Sequence, residues 1–290
     1  MEQIQAPVKV IAEDLVLVDW GPMTLTVSAW QDGRAKPVIA AKAGRKALFY
    51  LKTLSEFQGY LKRKTSTLPH DRPLPAVVKR ALDAVRRMSG DLTPLAAVAG
   101  AVADEVAAQA VDMGADRVIV NNGGDIAVTV KKRERAVVGI KPPGSDKMIG
   151  RLYVEGGSGI GGVASSGWSG RSHSKGVADM VTVWAENAAL ADAAATFIAG
   201  QTFVKGKSIQ KAKASSLDAL SDLGDTLVTE HVGELTPGQR RQALERGAAA
   251  AEKLRTQGVL GGCMLCLQGD TILMDPDGIM KTGARPHSRQ

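Results

Sequence analysis

Three residues within the stretch 156–200 have types that could do chemistry together. His173 lies in a loop rich in glycine and serine, and Asp192 and Thr196 lie in an alanine-rich run. Asp192 and Thr196 are four apart, so on a helix they stack on one face. At about 100° per residue, Leu190, Ala191, Ala193, Ala194, Ala195, Phe197 and Ile198 form one broad apolar face. The carboxylate and the hydroxyl share the narrow strip opposite, with no counter-charge on the same helix. Spacing leaves two readings open. One is a solvated face; the other is an oxygen-ligand site for a hard cation such as Mg²⁺, which takes carboxylates, hydroxyls and carbonyls and usually keeps a phosphate or waters. A histidine titrates in the range that suits accepting or orienting a proton. His173 reads equally well as a hydrogen-bonded loop residue.

Other elements must position these groups. Residues 177–185 alternate Val177, Asp179, Val181, Val183 with Ala178, Met180, Thr182, Trp184 and read as a mostly buried strand. Asn187 supplies an N-cap for the helix that follows, and Gly200 stands where a left-handed residue would end it. Upstream, Asn122-Gly123-Gly124 joins the strands 117–121 and 126–130, and Asn-Gly is a strong hairpin signal. The same glycines would let the backbone approach a flat ring or a phosphate. Thr93-Pro94 opens a helix to about 112. Its Ala96, Ala97, Ala99, Gly100, Ala101 and Ala103 are small, so a neighbour packs very close, and Asp104 and Glu105 supply its charge.

In order along the chain, these motifs resemble those of the ApbE family, the FAD:protein FMN transferases. LADAAATF resembles the family's A-D-A-x-x-T, whose Asp and Thr bind Mg²⁺ with a nearby carbonyl. Ser165-Ser166-Gly167 resembles its T-S-G, and His173 the histidine of its G-H-x-x-D-P. Asn121–Ile126 is similar to its N-x-G-G-D/N-I flavin loop, and 99–104 to its K-G-x-x-x-D. The resemblance thus implies Asp192 and Thr196 as metal ligands and His173 as the catalytic residue. Gly100, Asp104, Asn121, Asn122, Gly123, Gly124, Asp125, Ser165, Ser166 and Gly167 are implied as cofactor-binding residues. It implies an α+β fold, a duplicated T-fold of largely antiparallel sheets with packed helices, in one unit over 1–290 made of two halves.

Within the family the chain most resembles a shorter, cytoplasmic branch, through Thr93–Asp104, Ser221–Thr229 and Leu267–Gly269. That branch is implicated in sulfur assimilation, in forming homocysteine from aspartate semialdehyde and sulfide. Two departures stand out. Ala99 replaces the transferases' Lys, and Lys175-Gly176-Val177 stands near where their Asp-Pro follows the His. Three functions follow as expectations. The first is a ligand-binding or catalytic protein that takes a flavin (FAD or FMN) or another anionic nucleotide, with Mg²⁺. The second is a Mg²⁺-dependent FMN transferase acting on a Thr or Ser of a partner protein. The third is a noncatalytic partner-binding module.

Composition bounds these readings. The 290 residues suffice for a sizeable core. Aromatics make up only 4%, which argues against base-stacking nucleic-acid modules. A formal charge of +7 suits an anionic small ligand. No run of 18 apolar residues and no apolar leader core is present, so the expectation is a cytoplasmic protein with neither a membrane nor a specific nucleic acid as partner. The two cysteines, Cys263 and Cys266, lie in a strand–turn–strand pattern over 259–274. Residues three apart in a strand face opposite ways, so this C-x-x-C reads as a pair of strand thiols.

Further expectations are an opening hairpin (13–18 and 24–30) and helices over 45–62, 75–88 and 236–255. Strands are expected at 136–141 and 149–155, a polar connection at 205–225 with a short helix near 216–220, a strand at 226–229, a turn at 275–278, and a frayed tail at 285–290. The spacing Gly157, Gly159, Gly162 is not a dinucleotide fingerprint, because Ser165–Gly170, not a helix, follows it.

Overall fold

The computed structural model describes residues 7–88, 90, 92–170, 173–219 and 221–282. Two N-terminal strands, β1 (Val8–Ala12) and β2 (Leu15–Trp20), lead into β3 (Met23–Gln31), where Leu25, Val27 and Ala29 face the core. β4 (Arg34–Ala35) folds back on β3 and leads into α1 (Pro37–Glu56). This helix starts eight residues before the expected 45, with proline in its first turn, where a missing N–H costs nothing. In its first half the buried face is Ala40, Ala43, Gly44 and Ala47, too small to show as a periodic pattern of large apolar residues. It ends at Glu56, and α2 (Gln58–Leu61) is separate.

α3 (Ala76–Arg86) and α4 (Val98–Asp112) follow, then β5 (Arg117–Asn122), β6 (Asp125–Val130), β7 (Arg135–Ile140) and β8 (Gly150–Glu155). Thr93 does not cap the helix; its hydroxyl bonds the Asp222 carboxylate, and a 3-10 turn precedes α4. β9 (Gly162–Ser166) lies within what reads as a glycine- and serine-rich loop, and its small residues make room for the helix above it. β10 (Met180–Ala185) is shorter than expected, because the amides of Val177 and Ala178 donate to the Thr202 hydroxyl, 3.0 Å each, instead of to a strand. α5 (Ala188–Gln201) runs past Gly200, which is helical, and ends at Thr202.

The expected polar connection contains β11 (Ile209–Lys213) and α6 (Ala214–Leu217); of the short helix expected near 216–220, Leu220 lies outside the described residues. β12 (Leu227–Val232) pairs with β11. α7 (Pro237–Thr256) opens on the expected capping box of Thr236 and Gln239. β13 (Gly262–Leu267) and β14 (Asp270–Met274) form the last hairpin. After the 275–278 turn, a strand that the sequence does not announce, β15 (Met280–Thr282), pairs with β8. The expected tail at 285–290 lies outside the described residues.

The architecture is α+β with antiparallel pairing throughout, as expected. Among the described residues ten strands form one sheet, ordered β1-β2-β3-β5-β6-β9-β10-β13-β14 with β4 on β3. One face is covered, in strand order, by α1, α4, α5 and α7. Two strands, two covering helices and two strands thus succeed each other in 15–130 and again in 162–274. The other face carries a small sheet, β7, β8 and β15, over a second core that includes Met180, Trp184, Met264 and Met280. Pro94–Asp112 is apolar and long enough to cross a bilayer by composition, but α4 is packed between α1, α5 and the sheet. Cys263 is buried on the helix side and Cys266 packs on the other, both free; burial pushes the Cys263 thiol up to about 12.

The two halves meet where β6 and β9 pair through Ile126↔Val163 and Ala127↔Gly162. Above that seam α4 and α5 come together closely enough that a Cβ on Gly100 would collide with the Ala188 carbonyl, and one on Gly162 with the Asn187–Ala188 backbone. Asp104 of α4 accepts the Ala188 and Ala189 amides on its two oxygens, 2.9 Å each, and Asn187 accepts the Leu190 amide at 2.9 Å. The first amides of α5, orphaned by the helix geometry, are satisfied across the joint. Gly100→Ala is therefore expected to cost about 1–3 kcal/mol by forcing these helices apart, read as a lowered midpoint in thermal unfolding.

Candidate functional site

A cleft of about 810 Å³ opens at the end of the seam between the halves. Its position follows from the register. β9 pairs with β6 only at Gly162 and Val163 and then runs on beside β10 to Ser166. Opposite that overhang stands the bend between β5 and β6. Asn122 pairs with Asp125, so Gly123 and Gly124 form a two-residue turn with φ of 69° and 116°. Positive φ at both central residues matches the twist of a hairpin and needs glycine.

The bend is braced by its own amides. The Asn121 side-chain oxygen accepts the Gly124 amide at 2.8 Å, and the Asn122 side-chain nitrogen donates to the Ala99 carbonyl at 3.0 Å. On the other wall the Ser165 and Thr182 hydroxyls are 2.8 Å apart, and the Gly167 backbone lies so close to the Asp179 carbonyl that no Cβ would fit. Asn121, Asn122, Gly123, Gly124, Asp125, Ser165, Ser166 and Gly167 all line the cleft.

Asp192 and Thr196 line it too. The strip opposite the apolar face of α5 therefore looks into the cleft rather than into bulk water. The Gly100 amide donates to the Asp192 carboxylate at 3.0 Å, and among the described residues Asp192 has no ion pair. Burial, and then the neighbouring Asp125 carboxylate, pushes Asp192 well above the usual carboxylate range; the Gly100 amide pulls the other way, and Asp104 adds to the rise. Carboxylate, hydroxyl and a second carboxylate make an oxygen-only donor set, which is the chemistry of a hard divalent cation completed by phosphate or water. Among the described residues no three His, Cys, Asp or Glu side chains are placed to hold one metal ion together, so such a cation would be held by few protein ligands, as Mg²⁺ usually is.

Three of the residues singled out from the sequence are not brought to the cleft wall. Gly100 and Asp104 sit behind it, at the α4–α5 joint, where burial pushes Asp104 up to about 6 against the pull of the two α5 amides. His173 is half-buried on the connection from β9 to β10 and is not among the lining residues. Ala99, in the position where the resembled transferases carry Lys, does line the cleft and adds no charge.

The sequence does not announce several lining residues: Pro22 of the β2–β3 turn and Met23 at the start of β3, Leu51 and Leu54 of α1, Val98 and Val102 of α4, Met180 of β10, and the end of β7 with the Lys141–Gly144 turn after it. The cleft thus joins an apolar side to an acidic floor. The Pro142-Pro143-Gly144 turn is visible in the sequence. Its place over the bend depends on the small sheet packing on the large one, which no local pattern reports.

A family model described as "AbpE bacteria" matches residues 9–273. The chain is 50% identical over 105 residues to a UPF0280 protein of Methanopyrus kandleri, covering 36% of this chain and 41% of that protein. It is 41% identical over 133 residues to one of Methanothrix thermoacetophila (44% and 54%) and 36% identical over 159 residues to one of Methanocaldococcus jannaschii (51% and 62%). The match spans about half the length of these curated relatives. Among solved structures, it is similar to the apo flavinyl transferase ApbE of Pseudomonas stutzeri, with 13% identity, a TM-score of 0.48, and coverage of 92% of this chain and 96% of that one. For the flavin transferase ApbE of Vibrio cholerae the values are 14%, 0.40, 92% and 98%.

The raised Asp192 sets a pH dependence. Its native form keeps a proton to higher pH than the unfolded chain does, so stability falls as pH rises from the ordinary carboxylate range to the native pKa, and stays lowered above it. In chelator at neutral pH, Asp192→Asn is expected to stabilise the protein, within the ~0.5–2 kcal/mol range of single stabilising substitutions. The gain should shrink on acidification, as followed by thermal unfolding across pH.

Proposed function

The chain belongs to the AbpE bacteria family, and we propose that its cleft binds a phosphorylated flavin nucleotide, FMN or FAD, together with a divalent cation such as Mg²⁺. One observation carries this reading. Asp192 is half-buried, faces the cleft beside Asp125, and has one backbone amide as its hydrogen-bond donor. A fold that keeps such a group gives up stability unless a cation or a proton completes it.

Asp192 and Thr196, with Asp125 alongside, would hold the cation, which when bound neutralises phosphate charge. The remaining groups bind and orient. The Gly123-Gly124 turn presents bare backbone against which a flat ring or a phosphate can lie. Leu51, Leu54, Met23 and the Pro142-Pro143 turn supply the apolar side that a ring system requires. Asn121 and Asn122 hold the bend in shape through their own hydrogen bonds. Ser166 offers a hydroxyl at the end of β9.

Binding, rather than transfer of FMN to a Thr or Ser of a partner, is the reading adopted. Ala99 puts no cation on the wall, and His173 stands outside it. The part in homocysteine formation and the protein partner that the resemblance implies belong to the same proposal and rest on the resemblance alone.

Thermal unfolding with FMN, FAD or ADP, each with Mg²⁺ or chelator, tests this function. A ligand at a hundred times its dissociation constant adds about 2.7 kcal/mol, a rise of roughly 5–10 °C in a chain of this size. The flavin nucleotides should produce it only with Mg²⁺, and Asp192→Asn should abolish it. No shift by either flavin nucleotide at saturating Mg²⁺ would refute the proposal, whereas release of AMP with covalent FMN on a Ser- or Thr-containing peptide would establish transfer instead.

A further inference from the structure

The net positive charge of this chain is concentrated in one segment. Residues 33–70 hold nine basic residues (Arg34, Lys36, Lys42, Arg45, Lys46, Lys52, Lys62, Arg63, Lys64) and one acidic residue, Glu56. The segment carries a net +8 of a chain whose total is +7, so everything outside it sums to slightly negative. Charge gathered in this way marks an electrostatic footprint rather than general solubility.

The structure gives the segment a definite face. α1 lies at one end of the helix layer, over β1, β2 and β3, and buries Ala40, Ala43, Gly44, Ala47, Tyr50 and Leu54. Its outer stripe, at three- and four-residue spacing, reads Val38, Lys42, Arg45, Phe49, Lys52 and, at the helix end, Glu56, with Lys46 beside it, all exposed. Among the described residues Lys42, Arg45 and Lys46 carry no ion pair, and Lys52 has only a loose one with Glu56, at 3.9 Å. Val38 is 65% exposed and Phe49 63%. Two large apolar side chains three helical turns apart therefore stand out of a basic surface about 20 Å long.

From this charge complementarity and spacing, we infer that the outer face of α1 docks on an anionic lipid surface. Basic side chains among projecting apolar ones on a helix lying parallel to the surface suit a bilayer interface, where lysines meet headgroups and the apolar residues enter the acyl boundary. The composition disfavours the other anionic partners. Three of the four cations on the face are lysine, a residue depleted at protein–protein interfaces, where arginine is enriched. The stripe also has no Asn or Gln, and it carries a single Arg, so it lacks the side chains that read base edges. The inference is independent of what the cleft binds, and it revises the expectation that no membrane is a partner.

Co-sedimentation of the full chain with vesicles tests it. Binding is expected to phosphatidylcholine vesicles containing phosphatidylglycerol, roughly one lipid in three, and not to phosphatidylcholine alone, and it should weaken with added salt. Replacing Lys42, Arg45, Lys46 and Lys52 together by Gln should weaken binding at least tenfold. Phe49→Ser should weaken it while leaving its salt dependence in place. A control pair, Lys132→Gln with Arg133→Gln at the tip between β6 and β7, should bind like the wild type, and melting curves verify that every variant is folded. Equal binding to both lipid compositions, an unaffected quadruple variant, or tighter binding to duplex DNA than to the anionic vesicles would overturn the inference.

Discussion

Everything at the cleft depends on one contact, the flush meeting of α4 and α5 at the start of α5. Gly100 and Gly162 remove the side chains that would hold the elements apart. The Asp104 carboxylate then accepts the first two amides of α5 from the neighbouring helix. A carboxylate at a helix N-terminus gains both from the hydrogen bonds and from the positive end of the helix dipole. With that end fixed, Asp192 is held one turn further on, close enough to receive the Gly100 amide. A single joint therefore unites the halves and aims the acidic floor of the cleft.

The arrangement explains why Gly100 and Asp104 can belong to a functional motif without touching the cleft. They act through position. Asp104 accepts amides of α5, and Gly100 both admits α5 and donates to Asp192. The bend shows the same economy, since Asn121 and Asn122 spend their side chains on the turn and on α4, leaving the glycine backbone open.

What was legible in the sequence follows the same physics. The hairpins and the capping box of α7 were readable, because turn glycines, alternation and caps are local signals. The cysteine pair was also readable, from strand parity alone. In the sequence α1 reads eight residues short and β9 reads as a loop, because a close contact selects Ala and Gly and so removes the large apolar residues that periodicity relies on. The ends of β10 and α5 are hidden in the sequence for one reason: the Thr202 hydroxyl accepts the Val177 and Ala178 amides and donates to the Ala199 carbonyl, and nothing in the spacing reports it. The strip holding Asp192 and Thr196 was readable as a strip. Whether it met water or a cleft depended on the register between β6 and β9, and only tertiary structure sets that.

That register has a consequence for how the molecule could come apart. Two residue pairs are all the ladder that β6 and β9 share, while the packing above them buries an alanine-rich interface between α4 and α5. Within the large sheet the main chain contributes little to cohesion across the midline, where α4 packs on α5 instead, while in the small sheet β15 returns to pair with β8. Severing the connection between β8 and β9 would leave each fragment with four strands of the large sheet or more and its own pair of covering helices. Complementation of two such pieces would then draw on the fit between helix surfaces and on β15 of one piece finding β8 of the other, with the short β6–β9 ladder adding little.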